Sequence, residues 1–395
     1  MRVAFTLGLI ADDLTGASDS AVQFARRGWN ALLVLDTVRL KPDTTPDKYV
    51  VSGFSRTVTD HQVFAITTDA RALDNASAES LTTDALLQLL DARVDRLYLK
   101  IDSTMRGSVP GQISGALEGW RTKYPAASAV VCPAYPRMGR TVVANQVQVH
   151  GQPIELSSIG RDPVTPVTAS DLAVLIPGSL RVAPERISQR PAPVVTVDAT
   201  SNDDLAKIAS AIAAAGPSVI PVGSGGLAET MAATWSDAVR SVRRAKAREY
   251  RASDGGQADH RLPKNPRILI LVTSLNPVSL AQVDRLAGAF PDVVFLLPPT
   301  ERVGNTSVAE RLAEKFARRF ERERWDVLGF IGGDGARAAL RRLDASALRI
   351  VDAILEGIPL GIVVGGHADG TPIFTKAGGF GAEDALVRVV ETLTK

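Results

Sequence analysis

The sequence predicts an α/β fold in two domains, with mainly parallel sheets and a cleft between the domains. Three observations carry that expectation. Apolar, strand-like runs alternate with segments whose apolar residues return every three or four positions, the pattern of parallel sheets with helical crossovers. The chain has 395 residues, beyond the size at which one hydrophobic core usually stops growing. The alternation is interrupted over 240–266 by basic residues, an Asp-Gly-Gly turn and two prolines bracketing Lys264 and Asn265, which makes that stretch the linker candidate. Domains over 1–250 and 251–395 follow. The basic run from Arg240 to Arg251 reads equally well as the solvated end of a helix.

Taken in order, the expected strands of the first half are Val3 to Ala11, Ala31 to Leu35, Val63 to Thr67, Leu97 to Ile101 and Ala129 to Cys132. Each is a short apolar run bounded by polar or turn-forming residues. Between them, Gly16 to Arg27, Ala76 to Leu90 and Gly111 to Trp120 carry the helical period, and a strand over Ser218 to Val222 leads into a helix from Leu227. The second series has strands near Ile268 to Thr273, Val293 to Leu297 and Val327 to Ile331. Its helices lie near Val308 to Arg322, Gly335 to Arg342 and Ala382 to Thr392.

Composition narrows the function classes. Hydrophobic residues make up 45% and charged residues 22%, enough apolar material for substantial cores and too much for global disorder. The net charge of +2, from 45 basic against 43 acidic residues, gives no field that would hold nucleic acid or an anionic membrane. Cys132 stands alone, which excludes an intramolecular disulfide and suits a reducing, cytoplasmic setting. The apolar start runs straight into Asp12-Asp13 without a cleavage pattern, so it reads as a buried strand rather than a signal segment. No run approaches the roughly 20 apolar residues of a membrane span. A soluble protein is expected, and an apolar interface on the larger domain would make a homo-oligomer unsurprising.

The chemistry gathers at strand ends. Ile10-Ala11-Asp12-Asp13-Leu14-Thr15-Gly16 places two adjacent acids where the first strand hands over to a helix, and ligands of parallel α/β sheets bind at the carboxyl ends of strands. The carboxylates suit substrate hydroxyls, and the N–H groups of the helix start suit an anion. The plainer reading is that Asp13 or Thr15 caps the helix. Lys100-Ile101-Asp102-Ser103-Thr104-Met105-Arg106-Gly107 repeats the layout with both signs of charge. Such a cluster fits a carboxylate-bearing polyol, because Arg holds a carboxylate with two parallel hydrogen bonds; a structural ion-pair network is the competing account. A third strand end, Cys132-Pro133-Ala134-Tyr135-Pro136-Arg137-Met138-Gly139-Arg140, presents Arg140 from a proline-stiffened loop. Cys132 reads as a small buried hydrophobe. His61, His150, His260 and His367 show no metal-ligand spacing.

The second half offers glycine turns. Ile331-Gly332-Gly333-Asp334-Gly335-Ala336 follows a strand and opens a helix, where backbone N–H groups approach phosphate without side-chain obstruction. Lys376-Ala377-Gly378-Gly379-Phe380-Gly381 follows another strand, and Thr273-Ser274-Leu275-Asn276-Pro277 is a third polar strand end. Glycines after strands are also common as plain tight turns. Neither GxxxxGK[ST] nor GxGxxG occurs, so a P-loop and the standard dinucleotide fingerprint are excluded.

Together these segments resemble the four-carbon acid sugar kinase family, formerly a family of unknown function. The likeness runs in order through IADDLTGASD, KIDSTMRG, PAYPRMGRT, the DPVTP segment at Asp162 to Pro166, VGSGGLA, TSLNPVSLAQ, IGGDGA and FTKAGGFG. It implies an N-terminal domain that binds the sugar acid and a C-terminal domain that binds ATP, with transfer of the γ-phosphate to a terminal hydroxyl of a tetronate or 3-oxo-tetronate. ATP contacts would fall on Ser274, Gly332, Gly333, Asp334, Gly335 and Gly378. Substrate contacts would fall on Asp12, Asp13, Lys100, Asp102, Ser103, Arg106 and Arg140. Two departures stand out. Family members commonly carry Thr where this chain has Gly335, and many carry Gly-His where it has Asn145-Gln146.

Phosphoryl transfer needs alignment, charge neutralisation and exclusion of water more than covalent help. The expected mechanism has Mg²⁺ bridging the nucleotide phosphates, basic residues gripping the acid and Asp13 accepting the hydroxyl proton. Asp12, Asp102 and Asp334 are rival bases or metal partners, and no metal ligand is assigned. The alternatives are a non-catalytic two-domain sugar-acid sensor and an NAD-dependent hydroxy-acid dehydrogenase, the latter disfavoured by the missing fingerprint.

Overall fold

The computed structural model describes residues 6–35, 41–42, 48–51, 54–57, 62–162, 165–246, 262–298 and 305–394. The chain divides into two compact units, Met1–Ala238 and Val239–Lys395. No helix among the described residues is long and apolar enough to cross a membrane.

The first unit begins with β1 (Thr6–Ala11), α1 (Leu14–Ala25) and β2 (Asn30–Val34). Three short strands, β3 (Lys41–Pro42), β4 (Lys48–Val51) and β5 (Phe54–Thr57), form a separate antiparallel sheet. Then come β6 (Gln62–Thr67), α2 (Asn75–Asp91), β7 (Arg96–Lys100), α3 (Val109–Arg121) and β8 (Ser128–Cys132). A second antiparallel sheet of β9 (Arg140–Val143), β10 (Gln146–Val149) and β11 (Gln152–Pro153) precedes α4 (Leu172–Leu175), β12 (Leu180–Arg181), β13 (Val194–Thr196), α5 (Asn202–Ala215), β14 (Val219–Gly223) and α6 (Gly225–Lys246), whose residues from Val239 on belong to the second unit.

The main sheet of this unit runs β12-β13-β8-β14-β7-β1-β6-β2, with every neighbouring pair parallel. Strands β1, β8 and β14 are buried along their whole length, as continuous apolar runs in a sheet covered on both faces must be. Helix α3 packs closely on α2 because Gly111 and Gly115 lie against the backbone oxygens of Asn75 and Glu79, where any side chain would collide. Phe24 anchors the other face, with Trp29 edge-on at 5.3 Å and Trp235 stacked at 6.1 Å.

The chain's progression through this sheet turns back beside β1. From β1 it runs out to β2 and returns to β6 between them, whereas β7, β14 and β8 lie on the opposite side. The carboxyl ends of β1 and β7 therefore flank a switch point, where adjoining loops part and leave a crevice.

The second unit contains β15 (Ile268–Val272), α7 (Pro277–Ala289), β16 (Val294–Leu296), α8 (Asn305–Arg322), β17 (Val327–Ile331) and α9 (Gly333–Arg342). The hairpin β18 (Ala347–Leu355) and β19 (Ile358–Val364) follows, then β20 (Pro372–Lys376) and α10 (Ala385–Leu393). Its order is β18-β19-β20-β17-β15-β16, parallel from β20 to β16 and antiparallel through β19 and β18. Ile268, Ile270, Val272, Leu286, Phe374, Leu386 and Val389 form its core beneath α7 and α10. Strands β15 and β17 are neighbours whose following connections run to opposite sides, so their carboxyl ends frame a second switch point.

The expected strands and helices of both series are present with described ends shifted by at most three residues. The structure adds α4, β12, β13, α5 and α7, the hairpin β18–β19 and the small antiparallel sheets. Residues 240–246 of the basic run are the end of α6. Residues 3–5 of the expected first strand, 247–261 of the expected linker, His61 and His260 lie outside the described residues.

Candidate active site

At the switch point of the first unit, Asp12 and Asp13 leave β1 and the Lys100 to Gly107 segment leaves β7. Asp13 is the N-cap of α1, with an extended backbone at φ −151°. One of its carboxylate oxygens accepts from the Gly16 N–H at 2.9 Å and the other from the Thr15 hydroxyl at 2.6 Å. The capping account of Asp13 is therefore correct, yet the carboxylate is also held by a cation. Arg71 Nη2 lies 2.9 Å from Asp13 Oδ1, and the same guanidinium makes a bidentate pair with Asp12 at 2.8 Å for each bond.

Arg71 also comes within 3.9 Å of Asp102 Oδ1, so one guanidinium serves three carboxylates. It sits on a single 3-10 turn, Ala70–Ala72, just beyond the end of β6. Sequence reasoning passed over it, because it stands outside the mixed-charge clusters; the available signal was a lone Arg four residues past the end of β6, a strand that adjoins β1.

Asp102 is organised by its own loop. The Thr104 hydroxyl and N–H donate to Oδ2, and Arg106 forms a two-pronged pair with it, Nε to Oδ2 at 3.0 Å and Nη2 to Oδ1 at 2.8 Å. Arg106 reaches on to Asp162 at 3.4 Å, and Asp162 in turn accepts from the Thr165 N–H at 2.9 Å. The DPVTP segment is thus tied to the KIDSTMRG loop; residues 163 and 164 lie outside the described residues. Met105 takes the left-handed conformation, φ +60°, and so turns the loop back. Ser103 is buried in the same turn.

Lys100 is buried at the end of β7 with its ammonium at Gly16: a Cβ built there would stand 2.7 Å from Lys100 Nζ and 2.4 Å from Asp13 Oδ1. Glycine at 16 is what lets lysine and aspartate share that space. Arg140 is half-buried, and its guanidinium donates to the Met138 carbonyl. Burial lowers its pKa while Asp102 opposes and Arg106 adds to that shift, so all three lie within electrostatic reach of one another.

The electrostatics are one-sided. Burial pushes the Asp13 carboxyl up, but Arg71, Lys100 and the Thr15 and Gly16 hydrogen bonds outweigh it and hold the group below the ordinary carboxylate range. Asp102 is likewise pushed up by burial and pulled well below that range by Arg106 and Arg71. Burial lowers Arg71 and its three carboxylates raise it well above its usual value. Among the three acids the side-chain exposures are 0% for Asp12, 8% for Asp102 and 17% for Asp13. Asp13 is the most exposed of the three.

Other residues prove structural. Burial pushes the Cys132 thiol up to about 12, which leaves it unreactive at neutral pH. Asn145 sits at φ +67° in the turn between β9 and β10, donating to Asp171 at 2.9 Å and accepting from Thr196 at 2.7 Å. Asparagine there meets the need for a left-handed residue and fixes the small sheet from inside.

In the second unit, three strand ends converge. Ser274 follows β15, Gly332 to Gly335 follow β17 and Gly378 follows β20. Gly332 caps α9 at φ +112°, a conformation natural only to glycine. A Cβ at Gly378 would lie 2.2 Å from Ser274 Oγ, so the β20 turn rests directly on the β15 turn. Asp334 is exposed in the first turn of α9. The Ser274 N–H donates to Ile331 O and the Gly332 N–H to Lys376 O, which leaves the first turn of α9, whose cap supplies no side-chain hydrogen bond, as the N–H cluster suited to phosphate.

Residues 7–231 match the family described as a sugar-binding N-terminal domain, and residues 300–386 match the nucleotide-binding C-terminal domain. A Bordetella bronchiseptica protein named D-threonate kinase is 36% identical over 409 residues, covering 98% of this chain and 97% of that protein. A Heliobacterium modesticaldum D-erythronate kinase is 27% identical over 438 residues, covering 98% and 96%. A crystal structure of a domain of unknown function from Bordetella bronchiseptica, a domain-swapped dimer with bound citrate, shares 33% identity. It has a TM-score of 0.51 and covers 99% of this chain and 98% of its own. With both domain matches and end-to-end similarity, the chain belongs to the four-carbon acid sugar kinase family.

Proposed function

We propose that the chain transfers the γ-phosphoryl group of ATP to the terminal hydroxyl of a four-carbon sugar acid, with D-threonate the first acceptor to test. The observation that carries this is the interleaving of Arg71, Lys100 and Arg106 with Asp12, Asp13 and Asp102 at one switch point. Cations are needed for an acid's carboxylate, and fixed carboxylates are needed to accept hydrogen bonds from its hydroxyls. The kinase names of the relatives favour catalysis over a sensor or a dehydrogenase.

Within this assignment Asp13 accepts the acceptor hydroxyl's hydrogen bond and, late in transfer, its proton. Its depressed pKa keeps it ionised at neutral pH, and a loose, metaphosphate-like transition state asks little of base strength. Asp12, fully buried and gripped by Arg71, orients that arginine rather than touching substrate. Arg106 and Arg140 hold the carboxylate end. Ser274, Gly332, Gly333, Gly335 and Gly378 cradle the nucleotide phosphates. Asp334 would offer a carboxylate to Mg²⁺ bound with the nucleotide, an ion that would supply neutralisation of the phosphate charge.

The test is ADP release measured with D- and L-threonate, D- and L-erythronate and their 3-oxo forms. Release that depends on both ATP and one of these acids is expected, and none with any of them overturns the assignment. Replacing Asp13 by Asn should lower kcat about a hundredfold while ATP affinity stays within about twofold, below one hydrogen bond's worth. Near-normal turnover would remove Asp13 from its role.

A further inference from the structure

Lys376, the last residue of β20, is fully buried, an expensive place for an ammonium. No carboxylate among the described residues forms an ion pair with it. Its Nζ instead donates to two successive main-chain oxygens, Ala377 O at 3.0 Å and Gly378 O at 3.2 Å. Two more buried side chains act on the same turn from α7. The Ser279 hydroxyl donates to Gly378 O at 2.6 Å, and Gln282 Nε2 donates to the oxygens of Phe380, Gly381 and Ala382 at 3.1, 3.2 and 2.7 Å.

All five carbonyls from 377 to 382 named here are thus drawn inward. In a planar trans peptide the N–H points opposite to the C=O. Pinning Ala377 O and Gly378 O therefore aims the Gly378 and Gly379 N–H groups away from the lysine. The turn they leave lies on Ser274, where a Cβ at Gly378 would meet Ser274 Oγ at 2.2 Å.

We propose that Lys376 is a positioning residue for nucleotide: from inside the fold it locks the Ala377–Gly378–Gly379 turn with its N–H groups directed at the phosphates. This rests on the assignment of the second unit to nucleotide binding. Burial pushes the amine down to about 8, in keeping with an ammonium held only by peptide oxygens; it remains mostly charged at neutral pH. A charged donor is the stronger clamp, and a buried positive charge behind the turn also favours an anion in front of it.

The experiment is calorimetric titration of the full chain with ATP and magnesium chloride, alongside steady-state kinetics. Lys376→Met keeps the apolar stem and removes the donor. It should raise the Kd for ATP by about tenfold or more, the effect of losing a charged hydrogen bond, with the KM for the sugar acid unchanged. A merely structural lysine would instead lower the unfolding midpoint and shift both substrates together. Should Lys376→Met not fold, Ser279→Ala loosens the same Gly378 oxygen with the lysine in place, and about a threefold rise in Kd is expected. Wild-type protein that binds no ATP defeats the nucleotide assignment itself. Wild-type protein that binds while Lys376→Met, or failing that Ser279→Ala, binds equally well overturns the positioning role alone.

Discussion

Arg71 grips Asp12 through two parallel hydrogen bonds of 2.8 Å across 59 residues of sequence. The Asp12 side chain is wholly buried, so removing the cation strands a carboxylate where water does not reach. Breaking a buried pair in this way costs about 3–5 kcal/mol. Arg71→Met should lose that much unfolding free energy in urea titration, and adding Asp12→Asn should recover part of it by removing the stranded charge. Activity should not return, because Arg71 also holds Asp13 at 2.9 Å. A single-variant loss under about 1 kcal/mol, the scale of exposed pairs, would show the pair to be incidental.

Much of this site is legible in sequence, for a physical reason. Strands such as β1, β8 and β14 are buried on both faces and so read as unbroken apolar runs. The first polar or glycine residues after such runs mark carboxyl ends, which is where Asp12, Lys100, Ser274 and Gly332 lie. Arg71 escaped because its partners are remote in the chain and its turn has no periodicity. Lys376 was quoted only as part of a glycine-rich turn; nothing in a sequence says that a strand-end lysine points into the core. The β18–β19 hairpin was passed over although Glu356-Gly357, with Gly357 at φ +72°, is a turn signal between two apolar runs. Helix α5 carries a Ser201–Asp204 capping box, a local signal that was there to use.

Asp102 sets an acid limit on stability. Its folded pKa lies well below the ordinary aspartate value of 3.8, with burial opposed by Arg106 and Arg71. Below 3.8 the unfolded chain takes up the proton first. The stabilisation is therefore complete above that pH and is lost as pH falls toward the folded value. Asp102→Asn removes this group from the titration. Between about pH 4 and pH 2 its unfolding free energy should fall less steeply than the wild type's, by up to about 1.4 kcal/mol per pH unit, one proton's worth. Urea midpoints across that range check it, and parallel slopes would mean that Asp102 titrates normally in the fold.

Gly335 is explained by Thr273 across the strand gap. A Cβ at 335 would stand 2.2 Å from Thr273 Cγ2 and 2.5 Å from its Oγ1, so the end of β15 fills the room that a side chain on α9 would need. Forcing atoms into packed space costs about 1–3 kcal/mol, more than the gain of up to about 1 kcal/mol that alanine brings over glycine within a helix. Gly335→Ala should therefore destabilise the wild-type chain. Thr273→Ala deletes both offending atoms and leaves only its Cβ, at 2.9 Å, so in that background the same Gly335 substitution should cost less by about 0.5–3 kcal/mol, the range of coupling between residues in contact. Four proteins compared by chemical denaturation close the cycle. Strict additivity would sink the steric account, and the glycine that replaces the family's usual threonine would then need another cause. If the coupling appears, Thr273, one residue beyond β15, holds the space that a side chain at position 335 would take, beside Ser274.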